Sequence, residues 1–260
     1  MKARALVAIL GVVLDLGALS CGTRDNDAHF DAGLPSPIGT GSRIREVSNP
    51  ALENHPKHLD NVNVTGATVT LTDTFDETNN GKSRGNIYVQ DVNSQEPFSG
   101  MTLFSPTFIP GDLKVAPGDV LDLNGQYQEI ASLGTAIFPA GEFLPEIAKP
   151  ISTFRFEYKA PEPRVIDAAD LEDYAKGRGW IGMLVTIQNV TMVDALADSR
   201  KTGRVSAHLS SIKNAQLVNE LYDLKEGAFP AGTHFASITG IVTYFFTLHI
   251  APRSAADLVK

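Results

Sequence analysis

The stretch VNVTGATVTL (residues 62–71) alternates apolar and polar side chains, as a β-strand with one buried face does. Its apolar residues are, in order, Val62, Val64, Ala67, Val69 and Leu71. The alternation therefore changes phase across Gly66. A shift of one residue moves every following side chain to the other face, so a continuous strand needs a β-bulge here. Glycine suits a bulge, and the stretch predicts one long strand bent at Gly66.

The same pattern returns about 120 residues later, in GMLVTIQNVTMV (182–193). Its apolar residues also change phase, between Ile187 and Val190, which predicts a second bulged strand. The strand-like segments that follow match in the same order. GNIYVQDV (85–92) corresponds to GRVSAHL (203–209), SGMTLFS (99–105) to AQLVNELY (215–222), and PGDVLDLNGQY (117–127) to AGTHFASITGIV (231–242). This internal repeat of about 115 residues predicts two domains.

A long bulged strand, a hairpin and two further strands favour a small closed barrel. The segments VNVTGATVTLTD (62–73), GNIYVQDV and LKVAPGDVLDLNGQYQEI (113–130) resemble the OB-fold domains of secreted bacterial proteins, which are often found beside extracellular nucleases. GTHFASITGIVTYFFTLHIAPRSAADL (232–258) resembles the closing strands of the same domain type. The resemblance implies an all-β chain of two tandem OB-like five-stranded barrels, joined by a Pro-rich linker and a short helix.

The segment between the repeats, KAPEPRVIDAADLEDYAKGRGW (159–180), begins as a Pro-rich extended linker. Asp167 and Asp170 then form an N-cap pattern and Gly177 a helix end, which predicts one helix over Ala168–Lys176. The predicted organisation is a signal peptide (1–20), a disordered tether (21–42), OB-like domain 1 (43–158), and a linker helix with OB-like domain 2 (159–260).

The N-terminus has the pattern of a secretory signal. Two basic residues precede the apolar run ALVAILGVVL (5–14), which is too short to span a bilayer. Cys21 is the only cysteine in the chain, and ALSC (18–21) resembles the lipobox of bacterial lipoproteins. This resemblance implies acylation of Cys21, export and a lipid anchor, with the outer membrane favoured because Gly22 is not the Asp that retains some lipoproteins in the inner membrane. A secreted protein with a free thiol is the alternative.

Composition narrows the function classes. The formal net charge is −8, and residues 43–150 carry 7 Lys and Arg against 14 Asp and Glu, whereas residues 164–260 carry 10 of each. The first half is therefore a poor candidate for following a phosphate backbone. The sequence has no GxSxG, HExxH, P-loop or CxxC motif. We therefore expect a protein that is not an enzyme, with no cofactor and no metal site.

The resemblance also predicts where a ligand would bind, because OB-folds bind on the outer face of their second and third strands. In domain 1 the alternation turns four side chains outward on these strands: Tyr88, Gln90, Thr102 and Phe104. Exposed rings beside amide and hydroxyl groups suit stacking on a sugar ring, a base or a peptide. In the alternative, both rings pack against the tether or the other domain.

In domain 2 the same alternation points Val205, Ala207 and Leu209 inward. Four potential cations then lie outward or on the adjoining loop: Arg200, Lys201, Arg204 and His208. Such a basic patch suits phosphate or an acidic polysaccharide. In the alternative it is an ordinary solvated face.

Two functions remain. The first is a membrane-tethered, non-catalytic binding or assembly module of the cell envelope, with a polysaccharide, a peptide or an envelope protein as its partner. The second, which the resemblance raises but the acidic charge does not favour, is an accessory binder of extracellular nucleic acid through the basic patch of domain 2.

Overall fold

The computed structural model describes residues 33–81, 84–108, 114–209 and 215–260. Within these ranges the chain is all-β, with fifteen strands and a few short helical turns. The strands are β1 (Asn61–Thr72), β2 (Ile87–Asp91), β3 (Gly100–Phe104), β4 (Thr107–Phe108), β5 (Asp119–Ile130), β6 (Ser132–Leu133), β7 (Ala136–Ile137), β8 (Leu144–Glu157), β9 (Arg164–Val165), β10 (Leu184–Thr191), β11 (Ser206–His208), β12 (Gln216–Val218), β13 (His234–Phe245), β14 (Thr247–Ala251) and β15 (Leu258–Val259). The α-helices are α1 (Ile44–Ser48) and α2 (Tyr174–Gly177), and 3₁₀ turns cover Ala168–Leu171, Arg178–Trp180 and Ala255–Asp257. The predicted signal peptide and Cys21 lie outside the described residues.

The first sheet has the strand order β3-β2-β1-β5-β8-β4, and β3 also pairs with β8. The pairings among β1, β2, β3, β8 and β5 therefore form a closed circuit. The β3–β8 pairing is parallel, and the other four are antiparallel. The inward side chains of this circuit form one apolar cluster, which includes Val64, Val89, Leu103, Leu121 and Ile147.

The bend predicted at Gly66 is confirmed. Val64 pairs with Leu123 and Ala67 pairs with Leu121, so β1 carries one more residue than β5 between these two pairs. Gly66 has φ +68°, a conformation that costs a glycine little. A Cβ atom built on Gly66 would lie 2.9 Å from the Cδ1 atom of Ile38, so packing as well as conformation favours glycine.

The predicted disordered tether ends earlier than residue 42. Leu34 and Ile38 are buried in a cluster with Val92, Val120 and Phe156 on the outside of the first sheet. The prediction was wrong for residues 33–42 because two apolar side chains in a Pro- and Gly-rich segment are enough to attach it to a complementary apolar surface.

The second sheet has the strand order β11-β12-β14-β13-β10-β9, with β15 beside β13. An isolated bridge between Met192 and Leu209 joins the end of β10 to the end of β11. The pairings among β10, β11, β12, β14 and β13 therefore follow the same cyclic order as in the first sheet, again with one parallel pair, β12–β14. A second apolar cluster fills this circuit and includes Trp180, Met183, Ile187, Phe235 and Ile250.

The bulge predicted in the second long strand is wrong. The register between β10 and β13 runs without a shift from the Leu184–Ile241 pair to the Thr191–His234 pair. The apolar phase changes instead at Asn189, which adopts φ +54°. Asparagine tolerates this left-handed conformation, and one such residue reverses the side-chain alternation without an extra residue.

The single helix predicted over Ala168–Lys176 is also wrong, since this segment folds as a 3₁₀ turn followed by α2, and a second 3₁₀ turn follows it over Arg178–Trp180. Asp167 caps the first turn as predicted, accepting a hydrogen bond from the Ala169 N–H at 2.9 Å. Asp173 has extended backbone and caps α2 through the Lys176 N–H at 2.9 Å, so the helix is interrupted there. Gly177 keeps a negative φ, and a Cβ at this position would lie 2.1 Å from the Leu248 side chain.

Candidate functional site

The face predicted to bind a ligand in the first half is covered. Tyr88, Gln90 and Thr102 do point out of the first circuit, but each is at most 6 % exposed. Tyr88 packs in an apolar cluster with Leu184 and Ile241 of the second sheet. The expected exposure was wrong because the second sheet presents apolar side chains on its own outer face, and the two faces bury each other. Of the four predicted residues only Phe104 is exposed, at 44 %.

A buried amide fixes this contact between the sheets. The Oε1 atom of Gln90 accepts a hydrogen bond from the Leu184 N–H at 2.7 Å, and the carbonyl of Gly179 accepts one from the Phe98 N–H at 2.6 Å. Gly100 and Gly182 bring the backbones together, since a Cβ on either would lie within 3 Å of the other segment. The first sheet therefore offers its outer face to the second sheet rather than to a ligand.

The equivalent face of the second sheet is open. A cleft of about 690 Å³ lies over the outer sides of β11, β12 and β14. Two loops form its walls on this sheet, the turn around Arg200 and the turn around Phe246. The loop after β1 adds Thr78 and Asn80 of the first half. The cleft is thus lined by both halves of the chain.

The structure brings three of the four predicted cations to this cleft. Arg200, Arg204 and His208 line it, whereas Lys201 does not. The predicted alternation in β11 is confirmed, because Val205, Ala207 and Leu209 are buried.

Most of the positive charge in the cleft is already compensated. The Nε atom of Arg204 lies 3.0 Å from a carboxylate oxygen of Glu77, which is almost completely buried. The Nδ1 atom of His208 lies 2.7 Å from the Asp194 carboxylate. Of the four predicted cations, Arg200 and Lys201 have no ion pair with any residue in the part of the chain that the structure describes, and of these two only Arg200 lines the cleft. Within the cleft, the expected free basic patch is therefore reduced to one uncompensated guanidinium group.

A tight turn holds Arg200 at the rim of the cleft. The carboxylate of Asp198 accepts hydrogen bonds from the Thr202 N–H at 3.0 Å and the Gly203 N–H at 2.6 Å. Burial would raise the pKa of Asp198, but the hydrogen bonds from backbone N–H groups together outweigh burial and lower it. Gly203 has φ +87°, and its Cβ position lies 2.0 Å from the carbonyl oxygen of Glu77, so the turn rests directly on the first half.

A row of polar side chains crosses the floor of the cleft. His208 on β11 is in register with Gln216 on β12, and Gln216 is in register with His249 on β14. The Nε2 atoms of Gln216 and His208 are 3.1 Å apart, and the Nδ1 atom of His249 is 2.8 Å from Glu220. His249 was not among the site residues predicted from the sequence. The sequence signal that could have identified it is the alternation of its strand, which turns Leu248 and Ile250 inward and therefore places His249 on the outer face.

Behind this row, three carboxyl groups from the two halves interact. The pKa of Asp73 is raised to about 7, mainly by burial and in part by the nearby charges of Glu77 and Glu220, against the opposing hydrogen bond from the Phe75 N–H. Burial also raises the pKa of Glu77, although Arg204 opposes the effect. Burial would raise the pKa of Glu220 as well, but the charge and hydrogen bond of His249, together with Thr243 and Arg204, bring it below its ordinary value. Glu220 is therefore the one carboxyl group of the three whose pKa is lowered, which favours its ionised form.

Aromatic rings form one wall of the cleft. Phe246 is 40 % exposed at the turn between β13 and β14, where it adopts φ +65°. Its ring lies edge-on to Phe138 and Phe245, at centroid distances of 5.2 and 5.0 Å. The guanidinium carbon of Arg204 is 5.7 Å from the centroid of Phe245. The wall is rigid because each ring is packed against another.

Comparison with known protein families, curated proteins and solved structures found no match to this chain. In the described part of the chain, no group of His, Cys, Asp and Glu side chains has the arrangement of a metal site. None of the helices in these ranges has the length and apolar content that a membrane crossing requires.

Proposed function

We propose that the chain is a non-catalytic binding module of the cell envelope, anchored through a lipid on Cys21, and that the cleft of the second sheet binds a polysaccharide. The observation that carries the proposal is the open cleft over β11, β12 and β14, which combines aromatic rings, amide and hydroxyl groups and compensated charges. The corresponding face of the first sheet is buried, so the two halves have different roles: the first supports, and the second binds.

The strand order supports an interpretation as two tandem OB-like barrels, spanning residues 43–158 and 159–260. In both circuits the third strand pairs in parallel with the fifth, and the first strand lies between the second and the fourth. OB-folds bind oligosaccharides and oligonucleotides on strands 2 and 3 and on the loops that follow strands 1 and 4. In the second half these positions are β11, β12, the Arg200 turn and the Phe246 turn, which together line the cleft.

The charge balance favours an uncharged polysaccharide over a nucleic acid. Arg204 is paired with Glu77, and each histidine, when it is protonated, is paired with its own carboxylate: His208 with Asp194 and His249 with Glu220. A nucleic-acid groove needs cations that are free to replace condensed counterions. A sugar instead needs a ring on which to stack and polar groups to meet its hydroxyls, and Phe246 and Gln216 are placed to supply both.

Affinity electrophoresis in gels containing a β-glucan, a mannan or a xylan tests this proposal. The wild-type protein should be retarded by one of these polymers, and Phe246→Leu, which keeps apolar volume but removes the ring, should weaken retardation about tenfold. Phe104→Leu is the matched control, since Phe104 is similarly exposed but lies on the other sheet. Retardation by none of the polymers, together with binding of a single-stranded oligonucleotide that falls steeply between about 50 and 200 mM salt, would overturn the proposal in favour of nucleic acid.

The anchor is tested separately. The intact mass of the native protein should correspond to a chain that begins at Cys21 and carries acyl groups, and Cys21→Ala should lose both this mass and membrane association. An unmodified secreted chain with a free thiol would refute the anchor and leave the polysaccharide proposal standing.

A further inference from the structure

His249 is the histidine of the cleft that has a free ring nitrogen. Its side chain is 9 % exposed, and its Nδ1 atom is 2.8 Å from the Oε1 atom of Glu220. The hydrogen bond of its side chain among the described residues is the one made by Nδ1, which leaves Nε2 without a partner there, and His249 is one of the residues that line the cleft. His208 differs, because its Nδ1 is bound to Asp194 and its Nε2 to Gln216. Of the two histidines that line the cleft, only His249 therefore offers a ligand an available ring nitrogen.

Glu220 holds this ring in one tautomer. Its Oε1 atom is bound to His249, and its Oε2 atom accepts a hydrogen bond from the Thr243 hydroxyl at 2.6 Å. An ionised carboxylate only accepts hydrogen bonds, so the Nδ1 atom of His249 must carry the proton. In the neutral ring, Nε2 is then a hydrogen-bond acceptor. Thr243 and His249 are neighbours in register on β13 and β14, which fixes the geometry on rigid strands.

We infer that His249 is the specificity-determining residue of the cleft, accepting a hydrogen bond from a sugar hydroxyl at Nε2, and that Glu220 is the positioning residue that sets this acceptor. The inference rests on the proposed polysaccharide function and deepens it, because it assigns the ligand class as an uncharged sugar that presents a hydroxyl donor. The proposed hydrogen bond needs only a hydroxyl group on the sugar, so binding does not require the charged group of an amino sugar or of a uronic acid. The Phe246 ring and the His249 nitrogen then contact two different parts of one sugar: the ring its apolar face, the nitrogen its polar edge.

Two variants separate positioning from fold. Glu220→Gln keeps the size of the side chain but lets its amide donate to the histidine, so both tautomers of His249 become populated. Asp194→Asn makes the same change behind His208, whose Nε2 is already occupied, and is the matched comparison. Nitrogen-15 NMR of the histidine rings without ligand measures the tautomer, and affinity electrophoresis in the β-glucan, mannan and xylan gels measures binding.

We expect wild-type His249 to carry its proton on Nδ1 and Glu220→Gln to give a mixture of tautomers. Glu220→Gln should weaken retardation about fivefold, the effect of one hydrogen bond, and Asp194→Asn less than about twofold. His249→Gln, whose amide nearly reaches the position of Nε2, should retain more binding than His249→Ala.

The failures are distinguishable. If no polymer retards the wild-type protein, the proposed function fails and the assignment of a sugar fails with it. If the wild-type protein is retarded but Glu220→Gln binds equally well, or if wild-type His249 carries its proton on Nε2, only the inference about His249 is overturned. Equal weakening by Glu220→Gln and Asp194→Asn would indicate a general effect of charge removal and would also overturn it.

Discussion

The Asp73 carboxyl group makes the stability of the contact between the two halves depend on pH. Asp73 is 6 % exposed, and its Oδ1 atom accepts one hydrogen bond, from the Phe75 N–H at 3.1 Å. Burial raises its pKa from the ordinary 3.8 to about 7, opposed by that hydrogen bond and reinforced by the charges of Glu77, Glu220 and Asp76. We predict that Asp73→Asn, which keeps the shape and the acceptor but cannot ionise, stabilises the protein at neutral and alkaline pH.

The sign and the size follow from linkage. Between pH 3.8 and about 7 the folded chain keeps the Asp73 proton and the unfolded chain releases it, so this group lowers the free energy of unfolding as the pH rises through that window. A rise in pKa from 3.8 to about 7 corresponds to about 4 kcal/mol at full effect, and solvent screening reduces this to about 2 kcal/mol. The advantage of Asp73→Asn should therefore grow from about zero near pH 4 to about 2 kcal/mol at pH 8.

Urea denaturation followed by fluorescence measures this difference. Trp180 is the only tryptophan in the chain and is 9 % exposed, so its emission reports unfolding. The curves should be recorded for both proteins from pH 4 to pH 8. Asp223→Asn, at a half-exposed aspartate paired with Lys225, controls for removal of a surface charge. A difference between Asp73→Asn and the wild type that does not change with pH would refute the reasoning.

Three further variants test the fold. Gly66→Ala should lower the free energy of unfolding by about 3 kcal/mol, through a left-handed backbone and contact with a neighbouring side chain, whereas Gly81→Ala, with φ +77° but open space, should cost about 1 kcal/mol. Equal losses in urea titrations would contradict the packing argument at Gly66. Asp91→Ala should lower the free energy of unfolding by about 3 kcal/mol, because this buried carboxylate accepts hydrogen bonds from two backbone N–H groups of α1. Hydrogen exchange should show that α1 loses protection first. Unchanged protection of α1 would count against this explanation. Arg204→Gln should lower the free energy of unfolding by about 2 kcal/mol, because it leaves Glu77 buried without its cation. In a double-mutant cycle, adding Glu77→Gln should recover part of this loss. Strictly additive effects would show that the two side chains do not interact.

Much of the strand pattern could be predicted because it depends on local alternation. The period of two in β1 and β11 places the inward side chains correctly, and Gly66 marks its bulge because one phase change in a strand requires one irregular residue. Asn189 shows the limit of this argument. A phase change can also be made by one left-handed residue with no change of register, and the alternation of apolar residues is the same in both cases.

The candidate site was less predictable because its character depends on contacts distant in sequence. The outward direction of Tyr88 follows from alternation, but its burial depends on Leu184 and Ile241, which the chain brings over it only after the second sheet has formed. The charge of Arg204 is likewise compensated by Glu77, 127 residues away. A cation that looks free in sequence is therefore paired in the structure.

The covered face of the first sheet has a consequence for biosynthesis. The strands that bury Tyr88 belong to the second half, and β14, which contributes Ala251 to that cluster, comes about 90 residues after the end of β8. At about 5 to 20 residues per second, the ribosome needs on the order of 5 to 20 seconds to make those residues. During this interval all strands of the first circuit have been made, but the strands that cover its apolar outer surface have not. The nascent chain can then aggregate with neighbouring chains through this surface. Slow translation or a truncated transcript would lengthen the time for which the surface is exposed.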